Sequence, residues 1–179
     1  MTPGEFHQRS RRARATRVRR ARPEDAPTIA SFQLLMARET EALELSPAAV
    51  ERGVKAVFAD SARGTYYLAE RRDGAGSEVV GCLLITPEWS DWRNGWIWWL
   101  QSVYVVQHAR RQGVLRAMYR HVQSLAGRSG RVVGLRLYVD GRNRRAQSAY
   151  RALGMEGGHY RVFEAMLPPE GRQHPRGKP

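Results

Sequence analysis

The chain has 179 residues, a net charge of +13, 42% hydrophobic residues and 26% charged residues. These values predict one globular domain with an ordinary core. The single cysteine, Cys82, excludes an intramolecular disulfide, and no apolar stretch approaches the roughly 20 residues that a membrane-spanning helix needs. We therefore expect a cytoplasmic protein with no signal peptide and no membrane partner.

The positive charge is concentrated near the ends of the chain. Residues 1–22 contain eight arginines and one glutamate, whereas residues 23–169 carry a net charge of only +4. We interpret residues 1–15 as a basic disordered arm, residues 16–168 as the folded domain, and residues 169–179 as a flexible tail. Such an arm binds polyanions weakly. No metal-ligand spacing or nucleic-acid-binding motif accompanies it, so neither a metal site nor a nucleic-acid partner is favoured.

Strand and helix patterns alternate through the middle of the chain, which is typical of an α/β domain. A short strand is predicted at residues 16–21. Pro23 then lies at the start of a first helical region, and Ser46-Pro47 begins a second helix in the usual order of cap and proline.

Three strand patterns follow. Residues 65–70 and 79–85 flank a glycine-containing turn and are typical of a hairpin. Residues 96–106 are apolar on both faces, which predicts a central strand covered on each side. The polar pair Gln101 and Ser102 interrupts this strand, and a buried polar pair must find partners or line a cleft.

The rest of the domain is predicted to alternate again. A helix is expected at residues 113–126, a strand at 132–139, a helix at 144–153 and a last strand at 160–167. The predicted order is β-α-α-β-β-β-α-β-α-β, with room for a further short strand near Met155.

The segment between the central strand and the third helix has the features of an anion-binding turn. The first turn of a helix leaves N–H groups unpaired and adds partial positive charge. Gly113 lets the backbone approach a phosphate, and Arg110 and Arg111 add full charges. The alternative is a pair of solvated arginines before a helix. The segment reads Arg110, Arg111, Gln112, Gly113, Val114, Leu115, Arg116.

At this segment the sequence resembles the GNAT acetyltransferase family, whose signature is Gln/Arg-x-x-Gly-x-Gly/Ala after a Leu-Tyr-Val-like strand end. Arg110 and Gly113 match the signature. Leu115 does not match, because the signature ends in a small residue at this position. Gln107 lies where the family often has proline. The strand end is supplied by Val103, Tyr104 and Val105.

A second match lies about thirty residues downstream, in the order that the family has. Asn143, Ala146 and Tyr150 fit the pattern Asn-x-x-Ala-x-x-x-Tyr. The resemblance implies that Asn143 hydrogen-bonds the pantetheine arm of coenzyme A and that Tyr150 protonates, or hydrogen-bonds, the departing thiolate. The alternatives are a helix cap for Asn143 and a core aromatic for Tyr150.

The resemblance also implies a fold and a cosubstrate. The GNAT fold has a mixed central sheet of about six or seven strands and about four helices. Its fourth and fifth strands splay apart, and the acyl-pantetheine of acetyl-CoA inserts between them. The polar break at Gln101 and Ser102 falls where the fourth strand would bulge. Transfer would be direct in a ternary complex without a metal. The backbone groups implied to bind the cosubstrate belong to Val103, Tyr104, Val105 and residues 110–116.

The acceptor amine must lose a proton before it attacks, and two acidic groups are candidates for that role. One, at the end of the first helical region, contains Glu39, Glu41 and Glu44. The other is the loop predicted before the central strand, where tryptophans beside carboxylates would suit a cationic amine. Either Glu39 or Glu88 is our candidate for the base. The candidate substrate residues are Glu39, Glu41, Glu88, Trp89, Asp91 and Gln101.

Three alternatives stay open at this point. A GNAT domain that only binds and senses acyl-CoA would carry the same motifs. A protein lysine or N-terminus is an alternative acceptor to a small primary amine, which we favour. The third alternative is a nucleic-acid-binding protein led by the arginine-rich arm, which predicts salt-dependent polyanion binding that disappears when residues 1–15 are deleted. A homodimer through the C-terminal strand is common in the family, but the sequence carries no signal for one. Cys82, in an apolar strand, is predicted to be a core residue.

Overall fold

The computed structural model describes residues 15–73, 76–158 and 160–167. The chain divides into two compact units, one ending at Asn143 and one beginning at Arg144. Almost all of the predicted basic arm, the C-terminal tail and the tip of the predicted hairpin turn lie outside the described residues.

Among the described residues, the first unit contains a single sheet and three α-helices, and the second contains one short α-helix. The strands are β1 (Thr16–Arg20), β2 (Thr65–Asp73), β3 (Gly76–Ser90), β4 (Gly95–Val105) and β5 (Val132–Arg136). The helices are α1 (Ala26–Glu41), α2 (Pro47–Ala59), α3 (Val114–Ser129) and α4 (Arg144–Arg151).

The strands lie in the sheet in chain order, β1-β2-β3-β4-β5. The first four strands are antiparallel to one another. Short connections reverse the chain between β2, β3 and β4, and the α1–α2 pair reverses it between β1 and β2. β5 is parallel to β4, since α3 forms the crossover that returns the chain to the same end of the sheet.

Local sequence explains where the helices begin and end. Ser46 caps α2 by accepting a hydrogen bond from the Ala49 N–H at 3.4 Å, which satisfies one of the unpaired donors of the first turn. Ala42, directly after α1, and Gly130, directly after α3, both take the left-handed conformation, as is common at helix C-termini.

Alternate residues of the strands face the two helical layers of the first unit. Ile29 of α1 and Val54 of α2 pack with Leu68 of β2 in one buried cluster. On the opposite face, α3 contributes Met118, which is fully buried, and His121, whose ring lies 5.4 Å from that of Tyr67. Each fully buried aliphatic side chain stabilises the fold by about 1.5–3 kcal/mol.

The α/β class and the GNAT fold are confirmed, but the predicted strand count is wrong. The described residues contain five strands instead of six or seven. The strand predicted at 132–139 ends at Arg136, and residues 160–167 and the region of Met155 form no strand. A strand forms only where another strand pairs with it, so an apolar, β-branched composition does not suffice. The loop predicted before β4 is also shorter, since β3 continues to Ser90.

Candidate active site

β4 and β5 pair over only the first part of β4. Their register begins at Trp96 opposite Val132 and ends at Trp99 opposite Arg136. β4 continues to Val105, so residues 100–105 have no partner on that side within the described chain. We call this side of residues 100–105 the open edge of β4. The predicted splaying of the two strands is confirmed.

A bulge lies at the start of the open edge. Cys82 pairs with Tyr104 and Leu84 with Gln101, so β4 has one more residue than β3 in this interval. Ser102 takes a positive φ of 50°, a conformation that a β-bulge accommodates. The bulge predicted at the polar pair is therefore present. Gln101 donates a 2.6 Å hydrogen bond to the Thr86 hydroxyl.

The backbone of Val105 faces the open edge. The N–H of Val106 donates to the carbonyl of Val80 in β3 at 3.0 Å. Because successive backbone groups of a strand alternate in direction, the N–H and C=O of Val105 point away from β3. The carbonyl accepts a 2.8 Å hydrogen bond from Arg110 Nε. The N–H of Val105 therefore points out of the open edge of β4.

The chain then turns into α3 through residues 110–116, which we call the α3 turn. Arg111 and Gly113 take positive φ values of 60° and 83°. The first backbone bond into the helix runs from the Ala117 N–H to the Gly113 carbonyl at 2.9 Å. Within the described chain, the backbone N–H groups of residues 111–116 have no backbone acceptor, as is usual for a first helical turn. Unpaired donors at a helix start form an anion site.

The side chains of the α3 turn differ in what they contact. The Gln112 amide accepts from Arg71 and donates to the His108 carbonyl, each at 2.6 Å. Arg111 and Arg116 are exposed, and Val114 is buried. Leu115 is half-buried, and a side chain does not remove a backbone donor. The departure at Leu115 thus leaves the anion site intact.

The Arg110 guanidinium lies against Glu39 of α1. It forms an ion pair with Glu39 Oε2, and its central carbon is 5.5 Å from the centre of the Tyr104 ring. This side chain thus connects the α3 turn with the end of α1 and with β4.

Glu39 is held ionised by its neighbours. Burial alone would raise the pKa of this carboxyl, but hydrogen bonds from Arg110 and Tyr104 outweigh it and place the pKa below its ordinary value. The Tyr104 hydroxyl donates to Oε1 at 2.8 Å. Burial, and then that hydrogen bond, raise the pKa of Tyr104 to about 12. Glu39 is therefore a stable negative charge and a weak proton acceptor.

The aromatic and acidic pocket predicted around Glu88 is not formed by the residues named for it. The Glu88 carboxylate accepts from Trp99 Nε1 at 2.6 Å and from Arg136 Nη1 at 2.9 Å. Trp89 packs its ring against Trp96 at 5.1 Å. Because adjacent residues of a strand point to opposite faces, Glu88 and Trp89 cannot line one pocket.

The other acidic candidates are on the surface. Asp91 is exposed at the β3–β4 turn, where it accepts a 2.8 Å hydrogen bond from the Trp92 N–H, and the Trp92 side chain is 90% exposed. Glu41 is exposed at the last residue of α1. Glu44 forms an exposed ion pair with Arg38 at 2.9 Å.

The second motif lies at the junction into α4. The Asn143 N–H donates to the Asp140 carbonyl at 2.9 Å, which forms the turn before the helix. Tyr150 is half-buried in the last turn of α4, and burial raises the pKa of its phenol to about 12. At neutral pH the phenol is therefore protonated, as a proton donor must be.

Two further observations concern the described residues as a set. They contain no group of three His, Cys, Asp or Glu side chains that could hold a metal ion. None of their helices is long and apolar enough to cross a membrane. Cys82 is fully buried, as predicted.

A family model described as the acetyltransferase (GNAT) family matches residues 32–155. The chain belongs to the GNAT acetyltransferase family. Its members transfer acetyl groups from acetyl-CoA, and the match includes both motifs of the GNAT signature recognised in the sequence. No curated protein matches this GNAT chain by sequence.

Solved structures agree with this assignment. A possible acetyltransferase from Clostridium difficile 630 is 36% identical, with a TM-score of 0.77 over 86% of this chain and 99% of its own. A predicted acetyltransferase from Clostridium acetobutylicum, solved with acetyl-CoA, is 13% identical, with a TM-score of 0.67 over 84% of this chain and 96% of its own. A ribosomal-protein-alanine N-acetyltransferase from Brucella melitensis is 14% identical, with a TM-score of 0.66 over 86% of this chain and 100% of its own.

Sequence reasoning missed three residues that shape this GNAT site. Arg71 contacts the α3 turn, and Trp99 and Arg136 hold Glu88. A charged residue inside a strand pattern was the available signal for Arg71 and Arg136. Their partners lie 41 and 48 residues away along the chain, so no local pattern identifies the contacts.

Proposed function

We propose that this protein transfers the acetyl group of acetyl-CoA directly to the primary amine of a small molecule within a ternary complex. The observation that carries the proposal is the continuity of the open edge of β4 with the α3 turn. Backbone donors without described partners run from the place of an inserted thioester to the place of a pyrophosphate.

The proposed binding roles follow from these groups. Val103 and Val105 would offer backbone groups to the thioester and the pantetheine amides. By the same alternation the backbone of Tyr104 points toward β3, where Tyr104 pairs with Cys82, so the binding role predicted for its backbone does not fit. The N–H groups of residues 111–116 would bind the pyrophosphate, and Arg110 would add charge at the same mouth. Asn143 would hydrogen-bond the pantetheine arm, as in the family.

The reaction is an acyl transfer in one ternary complex. The neutral amine attacks the thioester carbonyl carbon, a C–N bond forms and the C–S bond breaks. The amine loses one proton to solvent or a carboxylate, and the thiolate of coenzyme A takes one from the Tyr150 phenol. A phenol with a raised pKa is protonated at neutral pH, so it can hydrogen-bond the departing thiolate and donate its proton, and the phenolate then recovers a proton from solvent.

Glu39 is our candidate for the acceptor side. Its carboxylate is ionised and contacts Tyr104 on β4 and Arg110 on the α3 turn, so it borders the open edge. Glu88 is held by Trp99 and Arg136, where β4 and β5 still pair. An ionised carboxylate attracts a cationic amine, which favours a compact primary amine as the acceptor.

The decisive experiment is calorimetric titration with acetyl-CoA, followed by a thiol-release screen over small amines and polyamines. We expect Asn143→Ala to weaken binding and the control Gln123→Ala, on the exposed face of α3, to leave it unchanged. We expect Tyr150→Phe to lower kcat by about 100-fold with little change in the Kd of acetyl-CoA. Tyr138→Phe, at an exposed tyrosine, is its matched control.

Each result of the screen has a distinct meaning. Tight binding with thiol release for a small amine would support the proposal and begin to identify the acceptor. Tight binding without turnover of any small amine would favour a protein N-terminus, a protein lysine or a sensing role. The absence of acetyl-CoA binding would contradict the proposal.

A further inference from the structure

Arg71 is a buried arginine that contacts the α3 turn from outside the signature. It lies in β2, and only 5% of its surface is exposed. Its Nη1 donates to the Gln112 side-chain oxygen and its Nη2 to the Gln112 backbone carbonyl, both at 2.6 Å. Its Nε donates to the Thr16 hydroxyl at 3.1 Å. The guanidinium thus binds both the main chain and the side chain of Gln112.

Arg71 forms no ion pair in the described chain, since Glu78, the residue opposite it on β3, pairs with His108 at 3.0 Å instead. All three of its hydrogen bonds go to neutral oxygens, and no described carboxylate lies within ion-pair distance of it. Arg19 on the adjacent strand differs, because it is paired with both Asp25 and Glu70. A buried cation is costly unless a negative group compensates it. An anion bound at the α3 turn would supply that compensation.

The contact also fixes a conformation that the turn needs. Gln112 lies between Arg111 and Gly113, the two residues with positive φ. A third hydrogen bond, from the Gln112 side-chain amide to the His108 carbonyl, connects the turn with the 3₁₀ helix Gln107–Ala109 that precedes it. Arginine presents its donors in a rigid fork, so a two-point contact sets orientation as well as distance. The N–H groups on either side of Gln112 are therefore held in place before a ligand arrives.

We propose that Arg71 is the positioning residue of the pyrophosphate site, and that its unneutralised charge makes the site selective for the diphosphate-bearing part of the cosubstrate. This inference rests on the proposed function. It predicts a residue that sets affinity for acetyl-CoA without touching the thioester or the acceptor. Thioesters that lack a diphosphate would not use it.

The test compares acetyl-CoA with acetyl-pantetheine, which has the same thioester and no diphosphate. For Arg71→Gln and Arg71→Lys, we expect the Kd and KM of acetyl-CoA to rise by about tenfold or more. We expect kcat at saturation to change by less than about twofold, and the KM of acetyl-pantetheine to stay unchanged. Lysine keeps the charge and loses the fork, so it should retain part of the affinity. Arg72→Gln, at the exposed neighbouring position, is the matched control.

The outcomes separate the inference from the proposed function. Unchanged acetyl-CoA affinity in both Arg71 variants would overturn the inference alone. An equal loss for both thioesters would also overturn it, because that result indicates general damage to the fold. If Arg71→Gln does not fold, Gln112→Ala removes the side-chain half of the contact. The Kd of acetyl-CoA should then rise by a smaller factor, and the KM of acetyl-pantetheine should again stay unchanged. Failure of the wild-type protein to bind acetyl-CoA would overturn the proposed function, and the inference with it.

Discussion

At the scale of single residues, the carboxylates of Glu39 and Glu88 both bind other side chains. Glu39 uses its two oxygens for Tyr104 and Arg110, and Glu88 uses its two for Trp99 and Arg136. Each carboxylate oxygen can accept a second hydrogen bond, so an amine could still bind Glu39. A carboxylate with a lowered pKa holds a cation better than it removes a proton.

We therefore predict that Glu39→Gln acts mainly on acceptor binding. Because the charge that attracts the amine is lost, the KM of the amine should rise by about tenfold, while kcat falls by less than about threefold. Initial-rate kinetics over a range of amine concentrations measure both constants. Glu41→Gln, two residues further along α1 and exposed, should leave both unchanged. A collapse of kcat at constant KM would instead identify Glu39 as the base.

At the scale of elements, one carboxylate joins β1 to the start of the first helical region. Asp25 accepts hydrogen bonds from Arg19 at 2.7 and 2.9 Å and from the Arg22 N–H at 2.7 Å, and its side chain is 16% exposed. The hydrogen bond from Arg19, the largest effect, lowers the pKa of Asp25 in spite of burial, and the backbone bond from Arg22 lowers it further.

This pair predicts a pH-dependent contribution to stability. The folded-state pKa lies below the unfolded value near 3.8, so the contribution is complete above that value and disappears as the pH falls through the folded-state pKa. Asp25→Asn should lower the free energy of unfolding by about 2 kcal/mol at pH 7. The gap from wild type should close in urea titrations below about pH 3.8. Glu24→Gln is the exposed control, and a gap independent of pH would contradict this account.

Elements differed in how well the sequence predicted them, for a physical reason. α3 was predictable because its apolar stripe and Gly113 are local signals. The strand at residues 160–167 was predicted from equally local signals, but within the described residues it pairs with no other strand. Likewise, the pocket around Glu88 and Trp89 failed because their stretch belongs to β3, where neighbours point to opposite faces.

The candidate site was predictable only in its backbone. The bulge at Ser102 was implied by the resemblance to the GNAT family, and the α3 turn follows from residue types at fixed spacing. The ion pair of Glu39 with Arg110 joins residues 71 positions apart, and the hydrogen bonds of Arg71 to Gln112 join residues 41 positions apart. Such contacts are set by the sheet register, which a single sequence does not specify.

At the scale of the whole molecule, the net charge of +13 is uneven along the chain. Residues 1–14 contribute four arginines and one glutamate, a net charge of +3. Described contacts begin at Thr16, whose hydroxyl accepts from Arg71. From its composition we expect the charge of this segment to act independently of the folded unit.

Deletion of residues 1–14 should change polyanion binding and leave the cosubstrate site alone. We expect weaker, less salt-dependent retention on heparin, because fewer counterions are released on binding. The Kd of acetyl-CoA should stay within about twofold at physiological salt, where charges beyond about 8 Å are screened. A full-length variant with the four arginines changed to glutamine separates charge from chain length. A shifted acetyl-CoA affinity in both variants would show that the segment reaches the site.

The burial of Cys82 has a practical consequence for every assay that detects free coenzyme A. This is the only thiol of the chain, it is inaccessible to solvent, and burial raises its pKa to about 12. A disulfide reagent needs an exposed thiolate, so the folded protein contributes no colour of its own. The same sulfur reacts once the sheet opens, at one equivalent per chain. The thiol that reacts before substrate is added therefore measures the unfolded fraction of each preparation, with the same reagent that measures turnover.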